Sequence, residues 1–305
     1  GTGGYVAAIR ASQLGKKVAV VEKQRPLGGT CLIWGCIPTK ALLEHAHAFE
    51  MFQHASHWGV ALPGGAPVLD MGLVHARKDK IIAGLSKGIE SLFKKHKIER
   101  IRGTARLVGK GRVEVFEGEK QTLEATDIIV ATGSSPRGLP GIEIDHARIV
   151  TSDDAIHLTK VPKSLVVLGA GAVGVEFASI YRRFGSDVAI VELLPRLVPG
   201  EEEAVSIELE KSFKKQGIRS LTASKVVSVT SESTGVAIKV RGSDGKSHDL
   251  AADVLLVATG RGPVTDGLGA EALGIQMDKG YIQVDAMYRT SVPNIAAIGD
   301  VIALE

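Results

Sequence analysis

Short apolar runs alternate with helical patterns along the 305-residue chain, and this alternation predicts an α/β fold. A helix is expected from the first glycines to residue 14, followed by a strand over 17–22 that ends in an acidic residue. The same order returns as an apolar strand over 161–168, a helix to residue 184 and an acid-terminated strand over 187–192. Two copies of one pattern indicate two βαβ units in one chain.

Further elements are predicted between and after these two units. The cysteine segment is expected to continue into a helix to about residue 55. A second helical pattern runs over 71–97, and short alternating strands are expected near 112–116. Two more apolar runs, 127–133 and 253–260, both close with Ala-Thr-Gly. Each is typical of a buried strand that ends at a turn where a cofactor can approach the backbone.

The length allows about two domains, and one turn-rich segment indicates where they divide. Residues 135–141 are rich in Pro and Gly, which marks a crossover and places a boundary near residue 144. We expect a first dinucleotide-binding domain over 1–144 and a second one inserted over 145–270. The chain is then expected to return to the first domain over 271–305.

The composition is that of an ordinary globular protein, with 44% hydrophobic and 23% charged residues. A net charge of +3 is too small to indicate a nucleic-acid partner, and the basic run 94–97 ends a helical pattern, where solvated lysines are common. No apolar run approaches the roughly 18 residues of a membrane span, and no signal or transit peptide is visible. A cytoplasmic location is expected for such a chain.

Two glycine-rich turns predict two dinucleotide sites. Their glycines are Gly1, Gly3 and Gly4 in the first turn and Gly169, Gly171 and Gly174 in the second. Such glycines let the backbone approach a pyrophosphate at a helix N-terminus, although one such turn alone could also serve helix–strand packing. Glu22 lies 18 positions after Gly4, and Glu192 lies 18 positions after Gly174. An acid in this place hydrogen-bonds an adenosine ribose and repels a 2′-phosphate, so Glu192 favours NAD over NADP.

The two cysteines of the chain, Cys31 and Cys36, follow the first glycine turn. On a regular helix, positions five apart are separated by about 7.5 Å along the axis and face different ways. Disulfide Cα atoms usually lie within about 7 Å of each other, so a bridge here needs an irregular turn. Gly35 and Pro38 would allow one, and a strained bridge is readily reduced. A redox-active pair is therefore favoured over two buried thiols or a structural disulfide, and the low cysteine content suits a reducing compartment.

The cysteine segment carries a family resemblance. The run G-G-T-C-x-x-x-G-C-I-P-T-K-A-L-L resembles the flavin-dependent disulfide reductases, and most closely those that oxidise dihydrolipoamide. The resemblance extends over the whole chain to residues 297–301. One departure is Ile33-Trp34, where the family usually has Asn-Val, and the indole could narrow substrate access. The resemblance implies FAD in the first domain, NAD in the second, and electron flow from dihydrolipoamide through a Cys31–Cys36 disulfide and FAD to NAD⁺.

The resemblance also assigns roles to individual residues. Cys31 matches the thiol that exchanges with the substrate, and Cys36 the thiol beside the flavin. Lys40 matches a lysine beside the flavin ring and Glu176 its paired carboxylate; a cation suits a reduced flavin, whereas the alternative is a solvated helix lysine. The other FAD contacts implied are Gly1, Gly3, Gly4, Glu22, Gly29, Thr30, Gly103, Thr132, Gly133 and Asp300. The NAD contacts implied are Gly169, Gly171, Gly174, Glu192, Val226 and Gly260.

The family's catalytic base, a histidine paired with a glutamate in a C-terminal interface domain, has no match in this sequence. Gly1 matches the second glycine of its fingerprint, so we expect a chain truncated at both ends, without the interface domain, and impaired alone. The partners implied are a lipoyl carrier domain, a 2-oxo acid dehydrogenase or glycine-cleavage complex, and a second copy of the full-length protein.

Other functions stay open at this point. One is another disulfide or metal-ion reductase of the same fold, and one of a different class is a non-catalytic nucleotide-binding fragment. His47, His54 and His57, with Glu50, would share a face if their helix continued. Such faces are usually solvated, and zinc needs a closed set of ligands, so no metal site is predicted.

Overall fold

The computed structural model describes residues 1–118 and 120–303. The α-helices in these residues are α1 (Thr2–Gln13), α2 (Cys36–Gln53), α3 (Met71–Lys95), α4 (Ser152–Ala155), α5 (Ala172–Phe184) and α6 (Glu203–Gln216). A π-helical turn, Thr30–Trp34, precedes α2, and 3₁₀ turns occur at Ala55–Trp58, Glu271–Leu273 and Gly299–Val301. Across the described residues, no helix is both long and apolar enough to cross a membrane.

The strands alternate with these helices, which confirms the predicted α/β class. They are β1 (Ala19–Glu22), β2 (Glu99–Gly109), β3 (Arg112–Gly118), β4 (Gln121–Glu124), β5 (Ile128–Val130), β6 (Ser134–Pro136), β7 (Ile149–Val150), β8 (Ser164–Leu168), β9 (Asp187–Val191), β10 (Arg219–Leu221), β11 (Ser224–Glu232), β12 (Gly235–Gly242), β13 (Ser247–Ala252), β14 (Val254–Val257), β15 (Arg261–Pro263), β16 (Met277–Asp278), β17 (Tyr281–Ile282) and β18 (Ile295–Ala297).

The chain folds as two compact units, each assembled from separate segments. Unit 1 takes Gly1–Ile37, Lys80–Ser135 and the residues from Arg261 onward, and unit 2 takes Pro38–Asp79 and Pro136–Gly260. Each unit contains one of the two glycine turns. The functional domain bounds 1–144, 145–270 and 271–305 stay a prediction.

Unit 2 is built on a five-stranded sheet in the order β10-β9-β8-β14-β7. Its parallel strands β8, β9 and β14 are apolar and buried except at the first residue of β8 and of β9, as expected for strands covered on both faces. Helix α5 joins β8 to β9, and β12 contributes Val236, Ile238 and Val240 to the buried cluster of the sheet. β9 lies on one side of β8 in the sheet, and β14 lies on the other side. The turn after β8 is therefore at the point where the strand order reverses.

Unit 1 contains two parallel strand pairs in separate sheets. β1 pairs with β2, which continues antiparallel into β3 and β4, and β5 pairs with β18. The π-helical turn is fixed by Leu32 and Ile33, whose side chains are buried in one cluster with Ile89 and Phe93 of α3. This packing anchors the cysteine segment to the body of unit 1.

Candidate dithiol and nucleotide sites

The two cysteines lie on either side of a break in regular helix. Cys31 belongs to the π-helical turn, Gly35 has φ −132° and ψ −107°, and Cys36 begins α2. A side chain at Gly35 would place its Cβ 3.1 Å from the Thr30 carbonyl oxygen. The predicted irregular turn is confirmed, so the spacing objection to a bridge on a regular helix does not apply.

The thiols differ in exposure. Cys31 is half-buried, whereas Cys36 is exposed. The indole of Trp34 is half-buried and packs against the same cluster as Ile33. Its effect on substrate access stays a prediction.

The cysteine segment is seated directly on the first glycine turn. Gly28 and Gly29 have positive φ values of 149° and 65°, and a Cβ on Gly29 would lie 2.1 Å from the Gly1 Cα. Gly29 is therefore restricted to glycine by both conformation and contact. This contact places the thiol segment beside the N-terminus of α1, where a dinucleotide's pyrophosphate would bind.

The remaining glycines of the first turn lie at ordinary packing distance from their neighbours. A Cβ on Gly3 would lie 3.4 Å from the Ile298 side chain, and one on Gly4 would lie 3.4 Å from the Ala131 Cβ. Glu22 ends β1, and its carboxylate accepts a hydrogen bond from the Gln24 backbone N–H at 3.0 Å. The structure thus brings the turn and its acid into one unit, as a dinucleotide site requires.

The other residues predicted to contact FAD fall into two groups. Gly133 has φ 74° with open space where a Cβ would stand, and the Thr132 hydroxyl donates to the Val264 carbonyl at 2.6 Å. Asp300 lies in a 3₁₀ turn and accepts from the Ser134 hydroxyl. Gly103 differs, because its Cβ would meet the Glu117 carbonyl at 2.0 Å, so strand packing already explains this glycine.

The three glycines of the second turn have distinct steric surroundings. Gly169 has φ 103°, and its Cβ would lie 2.5 Å from the Ala258 carbonyl oxygen. A Cβ on Gly174 would lie 2.0 Å from the Gly169 carbonyl oxygen, whereas Gly171, at the N-cap of α5, has open space around it. Only the middle glycine therefore leaves room for a ligand, and this pattern fits a pyrophosphate at the helix N-terminus.

Glu192 is turned toward this glycine turn. The residue is 8% exposed, and its carboxylate accepts hydrogen bonds from the backbone N–H groups of Ala170, at 2.6 Å, and Leu194, at 2.8 Å. The acid therefore holds the turn after β8 as well as placing negative charge beside it. Gly260, with φ 123°, has open space around it, while Val226 is half-buried against the hydrophobic cluster of unit 2.

Lys40 and Glu176 are brought together from distant parts of the chain. They form an ion pair between α2 and α5, with 59% of the lysine side chain and 27% of the glutamate side chain exposed. A second pair, Arg183 to Glu50, joins the same helices with 3.0 Å between Nε and Oε2. The two pairs connect α2 to α5 at two points.

Replacing Lys40 by methionine is expected to change the free energy of unfolding by less than about 1 kcal/mol, because exposed ion pairs contribute little. Urea unfolding of Lys40→Met and of the control Glu50→Gln would measure this. If Lys40 also lies beside the flavin, only Lys40→Met alters the absorbance of bound FAD. Equal spectra for both variants would contradict that placement.

The histidines near the end of α2 do not form a continuous stripe, because the helix ends at Gln53. The rings of His54 and His57 stay close, with centroids 5.6 Å apart. In residues 1–118 and 120–303, no group of three or more His, Cys, Asp or Glu side chains could hold a metal ion.

Two glycine turns with terminal acids and an adjoining cysteine pair define a two-nucleotide, dithiol protein. The chain belongs to the pyridine nucleotide-disulphide oxidoreductase family, whose description matches residues 1–305, and this confirms the resemblance. FAD and NAD are the cofactors of this family and of its dihydrolipoyl dehydrogenases.

Several named relatives cover nearly all of the chain. Dihydrolipoyl dehydrogenase 3 of Pseudomonas putida is 44% identical over 99% of the chain and 65% of its own length. The mitochondrial dihydrolipoyl dehydrogenase of Dictyostelium discoideum is 43% identical, over 99% and 63% respectively. The HOCl-induced flavoprotein disulfide reductase RclA of Escherichia coli superposes with a TM-score of 0.84 at 27% identity, over 99% of this chain and 64% of that one. The chain thus spans less than two thirds of these relatives' length.

Proposed function

We propose that the protein is a dihydrolipoyl dehydrogenase, which oxidises dihydrolipoamide and reduces NAD⁺. The observation that carries the proposal is the seating of Gly29 on Gly1, so close that a Cβ at position 29 would lie 2.1 Å from the Gly1 Cα. This contact sets the dithiol segment against a dinucleotide-binding turn. The 44% identity to dihydrolipoyl dehydrogenases supports dihydrolipoamide as the substrate.

The reaction passes two electrons from the substrate to the cysteine pair. A dihydrolipoamide thiolate attacks the Cys31 sulfur of the Cys31–Cys36 disulfide, so a mixed disulfide forms and the Cys36 thiolate leaves. The second substrate thiolate then displaces Cys31 and closes oxidised lipoamide. Two electrons have passed to the cysteines, and NAD⁺ finally accepts them with one proton while a second proton is released. FAD, when bound, supplies the two-electron carrier between the dithiol and NAD⁺.

The residues that would hold the two cofactors divide between the units. In unit 1, the α1 N-terminus would face the FAD pyrophosphate, with Glu22 at the ribose and Asp300 at the ribityl chain. In unit 2, Gly171 and the α5 N-terminus would take the NAD pyrophosphate, with Glu192 beside the ribose. Lys40 would place a positive charge, held by Glu176, beside the flavin.

The substrate is expected on a lipoyl carrier domain of a 2-oxo acid dehydrogenase or glycine-cleavage complex. The working protein is expected to be a homodimer. It would act in the cytoplasm of a bacterium, or in the mitochondrial matrix or a plastid of a eukaryote.

Alkylation rates test the roles of the two thiols. In reduced protein without FAD, Cys36 should react faster, because it is the more exposed thiol. In reduced protein loaded with FAD, the flavin should cover Cys36, so Cys31 should react faster. Peptide mapping after brief alkylation measures both rates. Preferential labelling of Cys36 in the loaded protein would reverse the assignment.

A metal-ion reductase is the second candidate function. RclA, which shares the fold, has a structure described as a Cu(II) complex. Oxidation of NADH that depends on Cu(II) and exceeds turnover with lipoamide would favour this alternative. If dihydrolipoamide is the substrate, turnover with lipoamide should exceed the Cu(II)-dependent oxidation of NADH.

A further inference from the structure

Asp300 is held by a short chain of hydrogen bonds inside unit 1. The Ser134 hydroxyl donates to Asp300 Oδ2 at 2.6 Å. Arg261 Nε donates to the same hydroxyl oxygen at 2.8 Å, and its Nη2 donates to the Ser134 carbonyl oxygen at 2.7 Å. We propose that Ser134 and Arg261 are positioning residues that orient Asp300 toward a hydroxyl of the flavin ribityl chain. This inference rests on the proposed FAD site.

The direction of these hydrogen bonds follows from which side chains can donate and which can accept. An arginine guanidinium donates hydrogen bonds and cannot accept them, whereas a serine hydroxyl has one proton and two lone pairs. Because Arg261 occupies a lone pair of the Ser134 oxygen, the hydroxyl proton is directed at Asp300. The carboxylate is thereby fixed through Oδ2.

The carboxylate keeps acceptor capacity for a ligand. The hydrogen bond from Ser134 engages Oδ2, and the Asp300 side chain is exposed, so Oδ1 can accept from a molecule that arrives from solvent. A carboxylate accepts but does not donate, so its natural ligand is a donor such as the hydroxyl of a polyol. The ribityl chain is a polyol, and a hydrogen bond to a charged acceptor is stronger than a neutral one.

The supporting residues stand on paired strands, which limits their movement. Ser134 begins β6 and Arg261 begins β15, and these two strands form one small sheet. Ser134 is only 8% exposed, and the Arg261 carbonyl accepts from the Tyr281 hydroxyl at 3.4 Å. Polar groups placed on such elements hold a geometry better than groups on a free loop.

Asp300 also faces a space large enough for a ligand. Ser134, Arg261 and Asp300 line one open cleft of about 480 Å³, together with Lys279, Tyr281 and Ile302. Asp300 itself is exposed, while its supporting serine is buried. A ligand in the cleft can therefore meet the carboxylate.

FAD affinity of the purified protein tests the proposal, measured by the quenching of flavin fluorescence on binding. Ser134→Ala should weaken FAD binding about tenfold, which corresponds to about 1.4 kcal/mol. Ser134→Thr, which keeps the hydroxyl, should retain wild-type affinity. Ser135→Ala, an exposed neighbour on the same strand, is the control and should bind like wild type.

A double-mutant cycle separates positioning from a general structural effect. If Ser134 acts through Asp300, Ser134→Ala should weaken FAD binding no further in an Asp300→Ala background. Additive losses would overturn the proposal, and so would Ser134→Ala binding FAD as tightly as Ser135→Ala. If wild-type protein binds no FAD at all, the proposed function fails instead.

Discussion

Replacing either Cys31 or Cys36 by serine is expected to lower NAD⁺-linked dihydrolipoamide oxidation by at least about a thousandfold, as for residues that act as one catalytic unit. A serine hydroxyl cannot form a disulfide, so neither exchange with the substrate nor storage of two electrons on the pair remains. Initial rates of NADH formation for Cys31→Ser, Cys36→Ser and wild type measure the effect.

The control for both cysteine variants is oxidation of NADH by an artificial electron acceptor. This reaction bypasses the dithiol, so it should persist near the wild-type rate and show that FAD and NADH still bind. A serine variant that kept more than about a tenth of the lipoamide-linked rate would remove the pair from the electron route.

Two substitutions within the second glycine turn should separate folding from nucleotide binding. Gly174→Ala should destabilise the protein by about 3 kcal/mol, the range of overpacked sites. Its new methyl would stand 2.0 Å from the Gly169 carbonyl oxygen, so α5 must move away from β8. Urea unfolding measures this loss.

Gly171→Ala is the matched substitution in open space. It should cost about 1 kcal/mol or less of stability, because alanine replaces glycine at a helix N-cap. The methyl would nevertheless occupy the space where a pyrophosphate approaches, so NADH affinity should fall at least about tenfold. Wild-type NADH affinity in Gly171→Ala would contradict the assignment of this turn to NAD.

Local patterns in the sequence predicted the elements that frame both sites. Residues 165–168 of β8 and all of β14 are continuous apolar runs, and α5 is bounded by Gly171 and Gly185. Each of these elements can therefore be recognised from a few neighbouring residues. The repeated unit was indicated by the equal spacing from the last glycine of each turn to its acid, which is also a local pattern. Gly35 and Pro38 predicted an irregular turn, which the structure shows to be π-helical.

Contacts between residues far apart in the sequence could not be predicted from local patterns. β2 pairs with β1 at its start and with β3 over the rest of its length, and its sequence mixes charged and apolar residues. The strands of the antiparallel β11–β13 sheet have a similarly mixed pattern. Neither was predicted. Ser134 and Arg261 lie 127 positions apart, and only the fold brings them to Asp300. The inward turn of Glu192 toward Ala170 likewise depends on the packing of β9 beside β8.

The central claim is that the protein carries electrons from dihydrolipoamide to NAD⁺. Its most direct test mixes FAD-loaded protein with dihydrolipoamide and either NAD⁺ or NADP⁺, and follows nucleotide absorbance together with the loss of free thiols. One NADH is expected for each dihydrolipoamide oxidised, and the rate with NADP⁺ is expected to be at least about tenfold lower because of Glu192. No NADH from protein that demonstrably binds both FAD and NADH, or equal rates with both nucleotides, would contradict it.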